Sequence, residues 1–311
     1  MIDPTCLKTI RVPKSSLNDC CFMANGTKVI TCGSDGNVHT HETMGTYRIN
    51  SYGKRPKAVT SVVYSIPEKL IYAGDYDGRI FKMPDSVQVK PEIIRGHSSQ
   101  INSITISPNN ELLLTASNDK TAKLFDIKRF TYFSSLVGHS YSLTQAVFSP
   151  TDEKVVMTTS LDKTSRLWDL KSKLEISTTT HQVPATCCDF HSDGTMIAVA
   201  LQDGSFSLKD LRNNQVIQVY PNAHSAEITS IHFHQSGGFA LTTSADRLVK
   251  IWDLMEGQLF FALNTHQAPV TNGCWDGDGS HFLTCDKNGY TILWQTNFDK
   301  LLKKLNLEQS Q

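Results

Sequence analysis

The hydrophobic positions of this chain fall into short runs set off by polar turns. In one stretch, Leu143-Thr144-Gln145-Ala146-Val147-Phe148 closes on the turn Ser149-Pro150-Thr151-Asp152. Val155-Val156-Met157-Thr158-Thr159-Ser160 follows, rich in the β-branched residues that suit a pleated, half-buried surface. Asp162-Lys163 marks the next tight turn; Thr164-Ser165-Arg166-Leu167-Trp168 reads as a third strand and Leu174-Glu175-Ile176-Ser177-Thr178 as a fourth. Other tight turns read Asp35-Gly36, Asp77-Gly78, Asp203-Gly204 and Asn288-Gly289, dipeptides that accept the positive φ of a two-residue hairpin.

This unit repeats. The turn position recurs as Asp35, Asp77, Asp119, Asp162, Asp203, Asp246 and Asn288, a nearly constant step along the whole chain. A second series, His97, His139, His181, His224 and His266, keeps the same step. Four short antiparallel strands in a period of about 40–45 residues form one propeller blade. Seven such units predict an all-β, seven-bladed β-propeller over residues 1–298, with 299–311 as a short C-terminal tail. Little β-forming sequence follows Trp294, while Leu7-Lys8-Thr9-Ile10-Arg11-Val12 has no blade of its own. That N-terminal run is therefore expected to complete the last blade and close the ring.

The repeats resemble WD repeats. Gly138-His139, Ser160, Asp162 and Trp168-Asp169 reproduce that motif; Gly96-His97, Ser117, Asp119 and Phe125-Asp126 come near it, as do His224, Ser244, Asp246 and Trp252-Asp253. The resemblance runs from about residue 12 to residue 298. Other units have drifted: Met83, Lys209 and His41 stand where a Trp is expected, and Leu201 replaces the Ser of the fifth unit.

Composition narrows the function. Lysines plus arginines number 30 and aspartates plus glutamates number 30, a balance that argues against wholesale attraction to nucleic acid or to an anionic membrane. Met1-Ile2-Asp3-Pro4-Thr5-Cys6 lacks the apolar run of a secretory signal, and no stretch approaches a membrane span. A soluble cytoplasmic protein is the resulting expectation. The eight cysteines show no Cys-x-x-Cys spacing, and Cys20-Cys21 and Cys187-Cys188 are strand neighbours facing opposite ways. They read as small buried hydrophobes, not as metal ligands.

His139, Ser160 and Asp162 together have the makings of a catalytic triad. The same set recurs in blades 3, 4 and 6, which marks it as part of the fold; an enzyme needs one distinctive site. A buried turn carboxylate must be paired, and an imidazole and a hydroxyl can pair it while a Trp packs over them. His97, Ser117 and Asp119, then His139, Ser160, Asp162 and Trp168, then His224, Ser244, Asp246 and Trp252 are accordingly read as structural braces. No phosphate loop and no zinc-protease motif is present. Gly277-Asp278-Gly279 reads as a turn, and His232 and His234 as a polar strand face. No catalytic residue, metal or cofactor is assigned.

In WD-repeat proteins the loop-bearing end of the ring is the usual docking surface. The matching positions here are Ser98, Gln100 and Asn118 in blade 3, Ser140, Ser142 and Leu161 in blade 4, Gln182 and Gln202 in blade 5, Glu227 in blade 6 and Lys287 in blade 7. Blades 1 and 2 add Lys14, Lys54, Arg55 and Lys57, with Tyr76 as an aromatic anchor, a basic rim for an acidic partner. Residues 1–90 carry twelve basic and eight acidic side chains; the remainder carries eighteen and twenty-two.

The last unit runs from Thr265-His266-Gln267-Ala268-Pro269-Val270-Thr271 to Ile292-Leu293-Trp294-Gln295-Thr296-Asn297-Phe298-Asp299. Its Trp-x-x-Asn-Phe ending resembles the centriolar WD-repeat proteins of the proteome-of-centriole family. That resemblance implies a scaffold of centrioles, basal bodies or cilia, with microtubule-associated proteins and tubulin as partners. It also implies a C-terminal coiled coil beyond a linker, whereas here Leu301, Leu302 and Leu305 offer at most two helical turns. The alternative is an adaptor or assembly subunit of a ubiquitin ligase or an RNA-processing complex. Asp210-Leu211-Arg212 resembles the end of a ligase-adaptor box, though Lys209 takes its Trp position.

Overall fold

The computed structural model describes residues 3–23, 26–45, 49–52, 55–85 and 90–298. They form seven four-stranded antiparallel sheets, each the blade of a ring. Six sheets take their strands in sequence order; blade 4, for example, runs Leu143–Phe148, Val155–Ser160, Thr164–Asp169 and Leu174–Thr180. The seventh is composite: strand Thr5–Arg11 pairs antiparallel with Tyr290–Gln295, Thr5 opposite Gln295 and Arg11 opposite Tyr290. The N-terminal strand closes the ring, as the sequence predicted. Lys54 and residues 299–311 lie outside the described residues.

Burial explains the apolar runs. In Val155–Ser160, the second strand of blade 4, every residue after Val155 is buried, whereas its outermost strand Leu174–Thr180 is mostly exposed. The core lies between blades: Leu114, Leu124 and Leu136 of blade 3 pack with Leu143, Phe148 and Trp168 of blade 4. Each blade thus needs its neighbour to cover its apolar face. Among the described residues no helix is long and apolar enough to cross a membrane.

The innermost strand pair of every blade slips register once, around Asn18, Thr60, Asn102, Thr144, Thr186, Thr229 and Thr271. Such a bulge re-aims a side chain. Here it points toward the channel on the ring axis, a cavity of about 230 Å³ lined by all seven. Five of them donate to a carbonyl of the next blade: Asn18 to Val59 at 2.7 Å, Thr60 to Ile101 at 2.5 Å, Asn102 to Leu143 at 2.5 Å, Thr144 to Ala185 at 3.0 Å and Thr229 to Val270 at 2.9 Å. Blades 5 and 6 are joined by the Cys187 thiol to Ile228 O at 3.9 Å and by Phe233 N donating to Asp189 Oδ2 at 2.9 Å, and blades 7 and 1 by Asn272 donating to Asp19 and the Cys274 thiol to Cys20 O at 3.5 Å. Burial raises the Asp19 carboxyl above its usual range despite these donors.

Candidate functional site

The loop entering each blade and the tight turn between its second and third strands lie at one end of the ring. Backbone bonds join them in every blade: Asn118 N to Gln100 O at 2.9 Å, Leu161 N to Ser142 O at 3.0 Å, Gln202 N to Pro184 O at 3.0 Å, Ala245 N to Glu227 O at 3.1 Å and Lys287 N to Pro269 O at 3.1 Å. Tyr76 N to Ala58 O at 3.1 Å and Ser34 N to Ser16 O at 2.9 Å complete the set. The positions read from sequence as a docking surface are therefore brought together. Ser98, Ser140, Leu161, Gln182, Gln202, Glu227, Lys287, Lys14, Lys57 and Tyr76 are exposed; Gln100, Asn118 and Ser142 are half-buried.

Arg55 departs from that surface. It stands as far ahead of Asp77 as His97 stands ahead of Asp119, and fills the histidine slot of blade 2. It is buried, its guanidinium 4.1 Å from the Phe81 ring centre and 2.8 Å from Met83 Sδ. Burial lowers its pKa while the nearby Asp75 carboxylate opposes that shift. It belongs to the core of the blade, not to an exposed basic rim.

The braces form, with a different hydroxyl. In blade 4, His139 Nδ1 lies 2.8 Å from Asp162 Oδ2, and His139 Nε2 lies 2.8 Å from Thr158 Oγ1. Trp168 Nε1 donates to the same Thr158 oxygen at 2.8 Å. The carboxylate can only accept, so the imidazole proton sits on Nδ1; Thr158 then donates to Nε2 and accepts from Trp168. Ser160 stands apart: its hydroxyl donates to Ser142 O at 2.9 Å and accepts from Asp162 N at 3.1 Å. Blade 6 repeats the whole arrangement through Thr242 and Trp252, and blade 3 repeats its His–Asp–Thr part through Thr115, with Phe125 in the Trp position. Ser117 and Ser244 hold the loop, as Ser160 does. The threonines recur four positions before the turn aspartate, a period present in the sequence.

Blade 7 has a full brace that sequence reading missed. Its carboxylate is Asp286 at the strand end; the turn position is Asn288. His266 Nδ1 lies 2.8 Å from Asp286 Oδ2 and His266 Nε2 lies 2.8 Å from Thr284 Oγ1, while Trp294 Nε1 donates to Thr284 at 3.1 Å. Blade 1 improvises: His39 binds Asp35 at 2.8 Å, and His41 in the Trp position lies 3.1 Å from Thr31.

Electrostatics agree with neutral, structural imidazoles. Burial lowers the pKa of His97, His139 and His224, outweighing the upward pull of their aspartates. Burial pushes His41 down to about 3. Burial would raise Asp162, but hydrogen bonds from Thr164 and His139 hold it at about 2, and Asp119 and Asp246 are depressed likewise. The Ser160 hydroxyl is committed to backbone and is not bonded to His139, so these three residues do not make a nucleophile–base pair.

Asp276, Asp278 and His281 are the only cluster of three metal-type donors converging among the described residues. Their bonds close a turn: Asp276 Oδ2 lies 2.9 Å from His281 Nδ1, and Asp278 Oδ1 accepts from Ser280 N at 2.9 Å. His232 lines the channel, while His234 lies past its strand with Nε2 3.1 Å from Gly279 O. The Trp-x-x-Asn-Phe ending is a packing device: Phe298 is buried and stacks on Phe239 at 4.6 Å, and Asn297 donates to Asp3 O at 3.0 Å.

Seven four-stranded blades, an N-terminal strand completing the last and recurrent His–Asp braces define a WD-repeat β-propeller. The family model described as "Nucleolar protein 10-like, N-terminal domain" matches residues 3–294, and the chain belongs to that β-propeller family. The solved WD40 β-propeller domain of Doa1 has a TM-score of 0.87 at 19% identity, over 95% of this chain and 98% of that one. Cilia- and flagella-associated protein 52 of Mus musculus is 22% identical over 94% of this chain and 41% of its own length. Pre-mRNA-processing factor 19 of Caenorhabditis elegans is 30% identical over 51% of this chain and 33% of its own length. The chain spans less than half of either relative.

Proposed function

We propose that this propeller is a non-catalytic scaffold in ciliary or centriolar microtubule assemblies, holding protein partners at its loop-bearing end. The observation that carries this reading is the match of 94% of the chain to a cilia- and flagella-associated protein. Its support in the fold is a rigid ring whose repeated His–Asp pairs are consumed internally, leaving an exposed rim of Ser98, Ser140, Gln182, Gln202 and Lys57 for contacts. Microtubule-associated proteins and tubulin, with its acidic surface, are the partners in this reading. A second reading, an assembly subunit in RNA processing, is favoured by the likeness of half the chain to a pre-mRNA-processing factor.

Proximity labelling with the chain fused to a biotin ligase separates the two. Ciliary and centriolar proteins should dominate the labelled neighbours. Dominance of splicing, nucleolar or cullin-linked subunits would overturn the first reading.

A further inference from the structure

The seam between blades 4 and 5 is built from different side chains than its neighbours. Elsewhere an apolar cross-strand pair of one blade packs against the tryptophan of the next: Ala122 and Leu136 against Trp168, Phe206 and Tyr220 against Trp252, Val249 and Leu263 against Trp294. Between blades 4 and 5 the pair is Ser165 and Thr179, and Lys209 stands in the tryptophan position. Lys209 is only 7% exposed, and its Nζ donates to Thr179 Oγ1 at 2.6 Å.

His181 has joined this cluster. Blade 5 has Val199 in place of the brace threonine, and its turn carboxylate, Asp203, is exposed and bonded to Ser205. The His181 ring therefore has no brace to enter, and its Nε2 lies 2.9 Å from Ser165 Oγ instead. His181 N bonds Lys163 O at 2.8 Å, which fixes the loop. The pair, the residue over it and the displaced imidazole have thus turned polar together at one seam. Thr179 and His181 are half-buried, so the cluster reaches solvent through them.

Two bases meet here without an acid. Among the described residues no carboxylate pairs with Lys209 or His181, and Asp210, the strand neighbour of Lys209, is held by the Arg212 guanidinium at 2.8 Å. Burial alone lowers the Lys209 pKa, and burial together with the Lys209 charge lowers that of His181. An adjacent carboxylate would have opposed both shifts. A buried ammonium has lost water and needs a counter-charge. Lys209 spends one of its three N–H donors on Thr179 and keeps two. Lysine and threonine are also slimmer than the tryptophan and leucine that fill the seam between blades 3 and 4, which leaves room for a small group. Donors gathered from three strands and a loop suit the several acceptors of a tetrahedral oxyanion.

We propose that Lys209, His181, Thr179 and Ser165 bind a phosphate group at the seam between blades 4 and 5. The lysine supplies the counter-charge, and the two hydroxyls and the imidazole donate to the remaining oxygens. Two sources offer this chemistry, the free ion and a phosphorylated side chain of a partner. The site goes beyond the scaffold reading and stands whichever assembly the ring serves.

Titration calorimetry with inorganic phosphate, at an ionic strength held constant with chloride, tests the site. The wild-type protein should bind saturably, and its melting temperature should rise with phosphate concentration. Lys209→Met keeps the side-chain length and suits an apolar seam, so it should fold and bind phosphate roughly tenfold more weakly or worse. Lys209→Arg keeps the charge and should retain most of the affinity. The same titration with N-acetyl-phosphoserine amide separates the sources. A monoester that binds as well as phosphate supports a phosphorylated partner, and a monoester that is excluded while phosphate binds supports the free ion. Absence of saturable binding by both probes in the wild type, or undiminished binding in Lys209→Met, overturns the proposal. Should circular dichroism show Lys209→Met unfolded, Ser165→Ala/Thr179→Val takes its place, and undiminished binding there overturns the proposal equally.

Discussion

Replacing Thr158 by valine tests the brace at its joint. Thr158 is fully buried and its hydroxyl meets both His139 Nε2 and Trp168 Nε1 at 2.8 Å. Valine keeps the volume, so no cavity opens. What changes is polar: the Trp168 N–H and the His139 Nε2 lose their buried partner together. Each orphaned group costs about 1–3 kcal/mol, so Thr158→Val should cost about 2–6 kcal/mol. A 311-residue fold unfolds with an entropy of about 0.65 kcal/mol/K at about 2.1 cal/mol/K per residue, which converts that loss to a melting shift of about 3–9 °C. Calorimetry reads the shift, and urea unfolding followed by circular dichroism reads the free energy. The companion Thr158→Val/Trp168→Phe removes donor and acceptor together and should cost less than the sum of the single changes, by about 1 kcal/mol or more. Blade 5 is a natural precedent, with Val199 in the threonine position and no Trp donor, Lys209 standing in that place. A single variant within about 0.5 kcal/mol of wild type, the range of an inconsequential surface change, would refute the relay. Strictly additive costs in the double variant would refute it equally.

Removing residues 1–12 strips the outer strand from blade 7 and should sharply lower the melting temperature; an unchanged melt contradicts closure by that strand. Acid should destabilise the fold from about pH 6.5 downward, the ordinary histidine pKa. His41, His97, His139 and His224 are held neutral with lowered pKa values, so the unfolded chain binds protons that the fold refuses. The depressed Asp119, Asp162 and Asp246 extend the same loss below pH 3.8, down to about 2 for Asp162; a melting temperature flat from pH 7 to 4 would contradict the histidine part. Arg55→Ala should cost about 2–3 kcal/mol through lost packing and cation–π contact on Phe81, whereas Lys57→Ala should leave urea stability within about 0.5 kcal/mol.

The blade count was legible because a two-residue turn restricts its residues so strongly that Asp-Gly and Asp-Lys pairs survive as a ruler. The His–Asp pairs of blades 3, 4 and 6 were legible for the same reason. The joining hydroxyl was not: Thr158 and Ser160 point to one face of their strand, and only the three-dimensional path of the His139 loop decides which one the imidazole meets. The blade 7 brace was hidden by a carboxylate shifted from position 288 to 286, a move of one full strand repeat that keeps it within reach of His266. Arg55 looked like a solvated loop charge, since a cation beside Lys57 gives no local sign of burial. Its offset from Asp77, equal to that of His97 from Asp119, was the available clue. The Trp-x-x-Asn-Phe ending, read as a family mark, performs a packing role at the seam.

The closing strand has a consequence for the order of assembly. Thr5–Arg11 leaves the ribosome before every blade, yet its partner is Tyr290–Gln295, close to the far end of the chain. Most links between blades join positions one repeat apart and can form as synthesis proceeds. That strand is thus the last to find its place, and it waits with unpaired backbone while the seven blades are made. Ile10, buried once the ring is closed, is open to unwanted partners during that interval, when unpaired strand edges and uncovered apolar surface favour aggregation.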